Sequence, residues 1–339
     1  MDRVRFAVVG CGNIGSRHLA VIEAEPEAEL AALCDIDQSK VAKYCNLFPG
    51  VAGFSGIEDL LREADVDVVT ICTPHYLHAA MAVLVARSGR HVLVEKPMAL
   101  HAADCELMID AARDGGVNLM VVKQNRYNVP VALLKQALDD GRFGRVLMSQ
   151  CNVIWNRYPG YYSQSPWLGR KEYEGGALYT QVSHFLDLMI WMFGPLVGAS
   201  AMTETMMHAI DIEDGGAATL RFENGTIGSL FWTTCAYSRN LEGSILVVGE
   251  SGIAKVGGTY LNRLEHWNVE GFPVPDTLRF DDRPNIYGKY QGTSSNHDKV
   301  IRDVVKLVRG QGGSVVMGDE GRLTVSAIEM IYSSLGRRH

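Results

Sequence analysis

The chain has 339 residues, 47% hydrophobic and 21% charged, with a formal net charge of -7, a length that suits two domains better than one core. It carries no Lys/Arg-rich run that would point to nucleic acid as the main partner. It also has no uncharged apolar stretch of the roughly 18 residues that a membrane span needs. The charged start MDRVR leads into a strand pattern, not a secretory leader. Cys11, Cys34, Cys45, Cys72, Cys105, Cys151 and Cys235 are odd in number, sit mostly in apolar runs and lack CxxC spacing. They read as reduced core thiols of a cytoplasmic protein, with no metal site among them.

The first predicted strand, 4-9, runs straight into Gly10-x-Gly12-x-x-Gly15. Gly10 permits the tight strand-to-helix turn, Gly12 lets the backbone approach a pyrophosphate, and Gly15 lets the helix pack close to the sheet. Asn13 and Ile14 lie in the first turn of that helix, whose unsatisfied N-H groups suit phosphate. The next apolar run, 28-34, ends on Asp35, 20 residues after Gly15. A carboxylate there accepts from the adenosine ribose hydroxyls and repels a 2'-phosphate, so NAD(H) is expected over NADP(H). Apolar runs at 66-72, 91-94 and 118-122 alternate with helix-like stretches such as 78-89 and 101-114. This predicts a doubly wound parallel sheet, a Rossmann domain over residues 1-123.

Run 66-72 empties into Thr73-Pro74-His75 at the carboxyl edge of that sheet, where the cofactor crevice lies. His75-x-x-His78 has the spacing of a metal pair, but no nearby Cys or acidic residue completes a set, and His78 near a helix start is preferred. The strand HVLVEKP brings Glu95-Lys96-Pro97 to the same edge. An ammonium at Lys96 would donate to a substrate hydroxyl and support alkoxide character as hydride leaves its carbon; the alternative is a charged strand end facing solvent. With Gln124, where the pattern changes, Thr73, Pro74, His75, His78, Glu95 and Lys96 complete the expected cofactor contacts.

Residues 124-339 read as an α+β domain. A helix is predicted at 128-140, a strand at 145-154 and a helical segment at 178-193. Successive strands follow from 197 to about 270, with turns at Asn224-Gly225 and Glu250-Ser251-Gly252, which predicts a mainly antiparallel sheet. A long connection, 271-295, precedes two helices at about 296-309 and 319-336. Gly175-Gly176 allows a tight turn into a helix on which Thr180 and His184, four apart, share a face. His184, with an ordinary pKa near 6.5, suits proton removal from a secondary alcohol. The alternative is a core histidine satisfied by Asp187.

Gly10-x-Gly12-x-x-Gly15, the acidic end of the second strand, Glu95-Lys96-Pro97, and Gly175-Gly176 followed by His184 resemble the glucose-fructose oxidoreductase/inositol dehydrogenase (Gfo/Idh/MocA) family over essentially the whole chain. The resemblance implies an NAD(P)-dependent sugar or polyol dehydrogenase with an open-faced substrate domain, dimeric or tetrameric through its sheet. It places the family's catalytic lysine on Lys96 and its catalytic histidine on His184. Where many members have Asp four residues before the histidine, this chain has Thr180. The segments VKQNRYNVPVALLKQALDDGRFG, NLEGSILVVGESG and NRLEHW resemble bacterial UDP-N-acetylglucosaminuronate 3-dehydrogenases of surface-polysaccharide synthesis, which generally have Asn at that position. That likeness implies oxidation of a UDP-sugar at C3, and in some of the group recycling of retained NADH by 2-oxoglutarate. Arg126, Arg157, Tyr158, Asn296 and His297 are then candidate phosphate or sugar contacts, with Tyr161, Tyr162 and Trp167 packing on sugar or uracil. A free-sugar or inositol dehydrogenase and a nucleotide-sugar 3-ketoreductase remain alternatives.

Overall fold

The computed structural model describes residues 3-280, 286-287, 290-291 and 295-335. The first part of the chain alternates strand and helix: β1 (Val4–Val9), α1 (Asn13–Ala24), β2 (Ala28–Cys34), α2 (Gln38–Leu47), β3 (Ala52–Phe54), α3 (Ile57–Glu63), β4 (Val68–Ile71), α4 (His78–Arg87), β5 (His91–Val94), α5 (Ala102–Asp114) and β6 (Leu119–Val121). The strands lie in the order β6-β5-β4-β1-β2-β3, all parallel. Every residue of β4 and β6 is buried, as expected for parallel strands covered on both faces. The chain runs outward from β1 to β3 and then returns to the other side of β1. The switch point therefore falls between β1 and β4, where a parallel sheet opens its ligand crevice.

The next part contains α6 (Val129–Asp139), β7 (Val146–Ile154), the short α7 (Lys171–Glu174), a π-helical turn (Leu178–Val182) and α8 (Ser183–Phe193). It continues through β8 (Leu196–Glu204), β9 (Gly215–Phe222), β10 (Ile227–Thr233), β11 (Glu242–Gly249), β12 (Gly252–Gly257), β13 (Arg263–Val269), and a two-rung hairpin of β14 (Ile286–Tyr287) and β15 (Tyr290–Gln291). The sheet order is β13-β12-β11-β7-β10-β9-β8. Only the central β7–β10 pair is parallel among its ladders. Side chains alternate, so Leu230 and Trp232 are buried while Ile227 and Phe231 on the same strand are exposed. The buried face carries α8, whose Phe193 meets Phe222 with ring centroids 5.3 Å apart. Phe185, Leu186, Leu188, Met189 and Ile190 are buried too, the all-round apolar pattern of a core helix.

The last elements are α9 (His297–Val308), β16 (Val316–Met317) and α10 (Gly318–Ser333). β16 pairs antiparallel with β6, Val316 opposite Val121, and adds a seventh strand to the first sheet. The chain thus divides into two compact units, Met1–Lys123 with His297–Val325 and Gln124–Asn296 with Ser326–His339. Residues 297-325, expected with the second domain, return to the first, because the apolar sides of α9 and β16 are buried against α1 and β6. Among the described residues no helix is long and apolar enough to cross a membrane, and all seven cysteines are free thiols.

Candidate active site

The first unit builds a nucleotide cradle from backbone. Gly10 has φ +92°, and a Cβ there would stand 2.8 Å from the carbonyl carbon of Cys72; one at Gly15 would stand 1.8 Å from the oxygen of Gly10. A Cβ at Gly12 would meet nothing within 4 Å, so this turn faces open space. Helix α1 starts on Gly12 with no side-chain cap, leaving its first N-H groups to a phosphate. Asp35, buried at the end of β2, ties this turn down. Its Oδ2 accepts the Cys11 N-H at 2.8 Å and its Oδ1 the Asp37 N-H at 2.9 Å, and Lys40 Nζ lies 3.6 Å from Oδ2. Each carboxylate oxygen keeps a lone pair for a ribose hydroxyl.

Strands β4 and β5 end beside this cradle. Thr73 Oγ1 is buried with no hydrogen-bond partner among the described residues, an orphaned polar atom that a bound dinucleotide can satisfy. Together with the open Gly12 turn and the uncapped helix, it fits NAD(H). His75 is buried after Pro74, its ring centroid 5.9 Å from that of His78. His78, expected to touch cofactor, is turned inward: Nδ1 lies 2.8 Å from the Pro97 oxygen and Nε2 2.9 Å from the Thr73 oxygen. Burial pushes its pKa down against the pull of those two carbonyls and of Glu95. Glu95 likewise faces the interior. Its Oε1 lies 2.8 Å from His18 Nε2 and 3.6 Å from His297 Nε2, and its Oε2 accepts the Lys96 N-H at 3.1 Å. Burial alone would raise the Glu95 pKa, but the hydrogen bond from His18 and the His297 ring beside it hold it well below the usual carboxylate range. His297, an expected substrate contact, is thus a buried member of the first unit.

In the second unit, positive φ at Gly175 (+90°) and Gly176 (+145°) turns the chain into the π-helical turn. Thr180 lies in that turn and the buried His184 in α8, so their four-residue spacing is not a regular α-helical one. A π-turn inside a helix is frequently a mark of a functional site. Glu213 supports this turn from a distant strand end. It accepts the Leu178 N-H at 3.2 Å and the Tyr332 hydroxyl at 2.6 Å. Burial raises its pKa to about 6 despite those bonds. Arg126, an expected substrate contact, holds Asp187 in a two-point pair of 2.8 Å bonds, with its guanidinium 4.9 Å over Trp191. This joins the 124-127 turn to α8. Gln124 is buried in that turn, its carbonyl oxygen 3.4 Å from Asn296 Nδ2; Asn296 also donates to Asn128 Oδ1 at 2.8 Å.

The remaining candidates cluster after β7. The Arg157 guanidinium is stacked over Trp155 and Tyr161, at 5.4 and 4.9 Å. Tyr158 meets Tyr161 edge-on at 6.2 Å, and Tyr162 meets His208 at 5.1 Å, with Trp167 half-buried farther along. His208 bridges this cluster to the fold: Nε2 lies 3.0 Å from the Arg157 oxygen and Nδ1 3.1 Å from Asp214. Asp214 is fully buried, yet the N-H groups of Met206, Met207 and His208 keep its pKa low against burial.

His18, Glu213, Tyr332, His208 and Asp214 were not singled out in the sequence. Only His18 carried a local signal, a polar residue on the buried side of the helix that follows the glycine turn. The His18-Glu95-His297 and His208-Asp214-Cys235 groups each have ligand atoms within 4.8 Å of one another. Their closest contacts, 2.8 and 3.1 Å, are hydrogen-bond lengths.

A glycine-turn dinucleotide cradle at the switch point of a parallel sheet, with a lysine at the end of the neighbouring strand, defines a nicotinamide-dependent oxidoreductase. Residues 4-123 match the model of the oxidoreductase family with an NAD-binding Rossmann fold, and residues 131-255 that of the GFO/IDH/MocA C-terminal domain. The chain belongs to the GFO/IDH/MocA oxidoreductase family. It is similar to the WlbA dehydrogenase of Bordetella pertussis, solved with NADH and UDP-GlcNAcA, at 36% identity and a TM-score of 0.89, covering 98% of this chain and 96% of that one. The WlbA dehydrogenase of Chromobacterium violaceum, solved with the same two molecules, is 35% identical with a TM-score of 0.88, covering 98% and 94%. A 1-carboxy-3-chloro-3,4-dihydroxycyclohexa-1,5-diene dehydrogenase of Comamonas testosteroni is 30% identical over 281 residues, 82% of this chain and 66% of that protein's length.

Proposed function

We propose that the protein oxidises the C3 hydroxyl of a UDP-sugar, UDP-N-acetylglucosaminuronic acid foremost, to the 3-keto sugar at the expense of NAD+. The observation that carries this reading is likeness across 98% of the chain to two dehydrogenases solved with NADH and UDP-GlcNAcA. His184 takes the hydroxyl proton. Lys96 donates to the same oxygen and favours its alkoxide character as the C3-H bond breaks. Bound NAD+ supplies the nicotinamide carbon that accepts the hydride, so the products are ketone, NADH and a proton. Thr180 serves as a neutral hydrogen-bond partner beside the histidine. Arg157, preorganised between Trp155 and Tyr161, binds the diphosphate with Tyr158, Tyr162 and Trp167 around it.

The uncovered sheet face supports a homo-oligomer, dimer or tetramer. It presents Met148, Ile227 and Phe231, with Met148 56% and Phe231 47% exposed, more apolar surface than scattered single residues would give. The free thiols support a cytoplasmic setting. The deciding experiment follows NADH formation from UDP-GlcNAcA, UDP-GlcNAc, glucose and myo-inositol, with and without 2-oxoglutarate, and identifies the keto carbon by NMR. A 3-keto UDP-sugar is expected, with 2-oxoglutarate raising turnover if NADH stays bound. Turnover of glucose or inositol without turnover of either UDP-sugar rejects the reading.

A further inference from the structure

Lys96 lies between two residues whose polar atoms are pinned by buried histidines from three helices. On one side Glu95, 3% exposed, turns Oε2 to the Lys96 N-H at 3.1 Å and Oε1 to His18 Nε2 at 2.8 Å, with His297 Nε2 at 3.6 Å. On the other side the Pro97 oxygen is 2.8 Å from His78 Nδ1, and the same ring reaches the Thr73 oxygen at 2.9 Å. His18, His78 and His297 are all 0% exposed. They come from α1, the first residue of α4 and the first residue of α9. An ionised carboxylate only accepts, so His18 presents Nε2-H to it. Its Nδ1, which meets no partner among the described residues, is then a bare lone pair rather than a stranded donor. The rings of His18 and His297 meet edge-on, 5.3 Å apart at 85°, so that His297, whose ring nitrogens meet no hydrogen-bond partner among the described residues, backs the ring that holds the carboxylate.

The two-histidine, one-carboxylate set is also a ligand set for zinc. Tetrahedral ligands at about 2.0–2.1 Å from zinc would stand about 3.3 Å from one another. The 2.8 Å contact between His18 and Glu95 is shorter, at the length of a charge-assisted hydrogen bond. None of the four groups has a part in the bond changes of the mechanism above; Glu95 and His78 hydrogen-bond the backbone at Lys96 and Pro97, His18 holds the Glu95 carboxylate, and His297 packs edge-on against His18. A lysine carries its ammonium on a flexible four-carbon stem, so the direction of its Cα-Cβ bond decides where the charge reaches.

We propose that His18, Glu95, His297 and His78 are positioning residues, a buried clamp that sets the backbone of Lys96 from both sides and thereby aims its ammonium at the substrate oxygen. The inference rests on the role given to Lys96 under the proposed function.

The test uses the full chain with NAD+ and UDP-GlcNAcA, measuring kcat and KM, together with NADH titration by fluorescence. Glu95→Gln keeps the shape of the side chain and removes its charge, while His78→Gln keeps one donor for two carbonyls. Each is expected to lower kcat by about 10- to 100-fold, the loss typical of a displaced catalytic group, with KM and NADH affinity within about threefold of wild type. Because the clamp acts through Lys96, Glu95→Gln should add nothing to the loss already present in Lys96→Met. A multiplicative further loss in the double variant, or wild-type kcat in both single variants, overturns the clamp. If circular dichroism shows that Glu95→Gln is unfolded, His78→Gln alone and paired with Lys96→Met carries the same test. One equivalent of zinc in the purified protein, lost in His18→Gln, replaces the clamp with a metal centre. Wild-type turnover by Lys96→Met removes the role of Lys96 itself and the clamp with it, whereas an inactive Lys96→Met beside fully active Glu95→Gln and His78→Gln removes the clamp alone.

Discussion

Each unit buries a carboxylate next to its candidate catalytic group, and the two titrate in opposite directions. Glu95, 3% exposed, stands directly before Lys96; Glu213, 9% exposed, supports the turn that leads into His184. Burial pushes both upward, yet Glu95 ends well below the ordinary value and Glu213 at about 6. The difference lies in the donors. Glu95 accepts from the His18 imidazole and from the Lys96 N-H and lies beside a second imidazole, whereas Glu213 accepts from a phenol and backbone amides. Burial therefore decides the state of a carboxylate only where its hydrogen-bond partners and neighbours do not offset it.

Asp187 is a second-unit carboxylate with a full cation beside it, only 3% exposed at the side chain. Arg126→Ala leaves that charge buried without its two-point donor and should cost about 3–5 kcal/mol of stability, measured by denaturant unfolding. The exposed Arg62–Asp59 pair provides the control, with no resolvable change of stability expected in Arg62→Ala, because solvent screens an exposed pair. Equal losses at the two sites would show that the buried partner charge is not what matters.

At the reaction itself, Lys96→Met and His184→Ala should each lower kcat by roughly 10²-fold or more while NADH binding survives. His184→Ala should also lose the acidic limb of the pH–rate profile; an active variant with an unchanged profile returns His184 to the core. The Glu213 half is sharpened by stability against pH. Because its folded pKa, about 6, stands above the ordinary 4.5, the folded state holds the extra proton. Its contribution is complete below pH 4.5 and is lost as pH rises through about 6. Wild type should therefore lose about 2 kcal/mol relative to Glu213→Gln between about pH 4 and pH 7, and parallel stability curves for the two proteins would refute the upward shift. The smallest effect is expected at Asp35. Removing its acceptor in Asp35→Ala should weaken NAD+ by roughly tenfold, about the value of one charged hydrogen bond, and NADP+ much less; titration of both cofactors reads the difference.

What the sequence alone determined is what the backbone dictates locally. Gly10, Gly12 and Gly15, Asp35 at the end of β2, and Lys96 at the end of β5 were legible because a strand end and a tight turn need those residue types at those spacings. The turns at Asn224-Gly225 and Glu250-Ser251-Gly252 likewise announced antiparallel neighbours, β9 with β10 and β11 with β12. Tertiary structure decided which polar groups face inward. His78 and His297 read as ligand contacts, but they close on the Thr73 and Pro97 carbonyls and on Glu95, since a histidine on a partly apolar pattern looks the same whether its partner is a ligand or a carboxylate 77 residues from His18. Glu213 and Tyr332 are 119 residues apart, and no spacing rule joins them. The four-residue interval from Thr180 to His184 passes through a π-turn that helix periodicity cannot foresee. The return of residues 297-325 to the first unit was hidden for the same reason: an amphipathic helix records that one face is buried, and only the packed fold decides against which core.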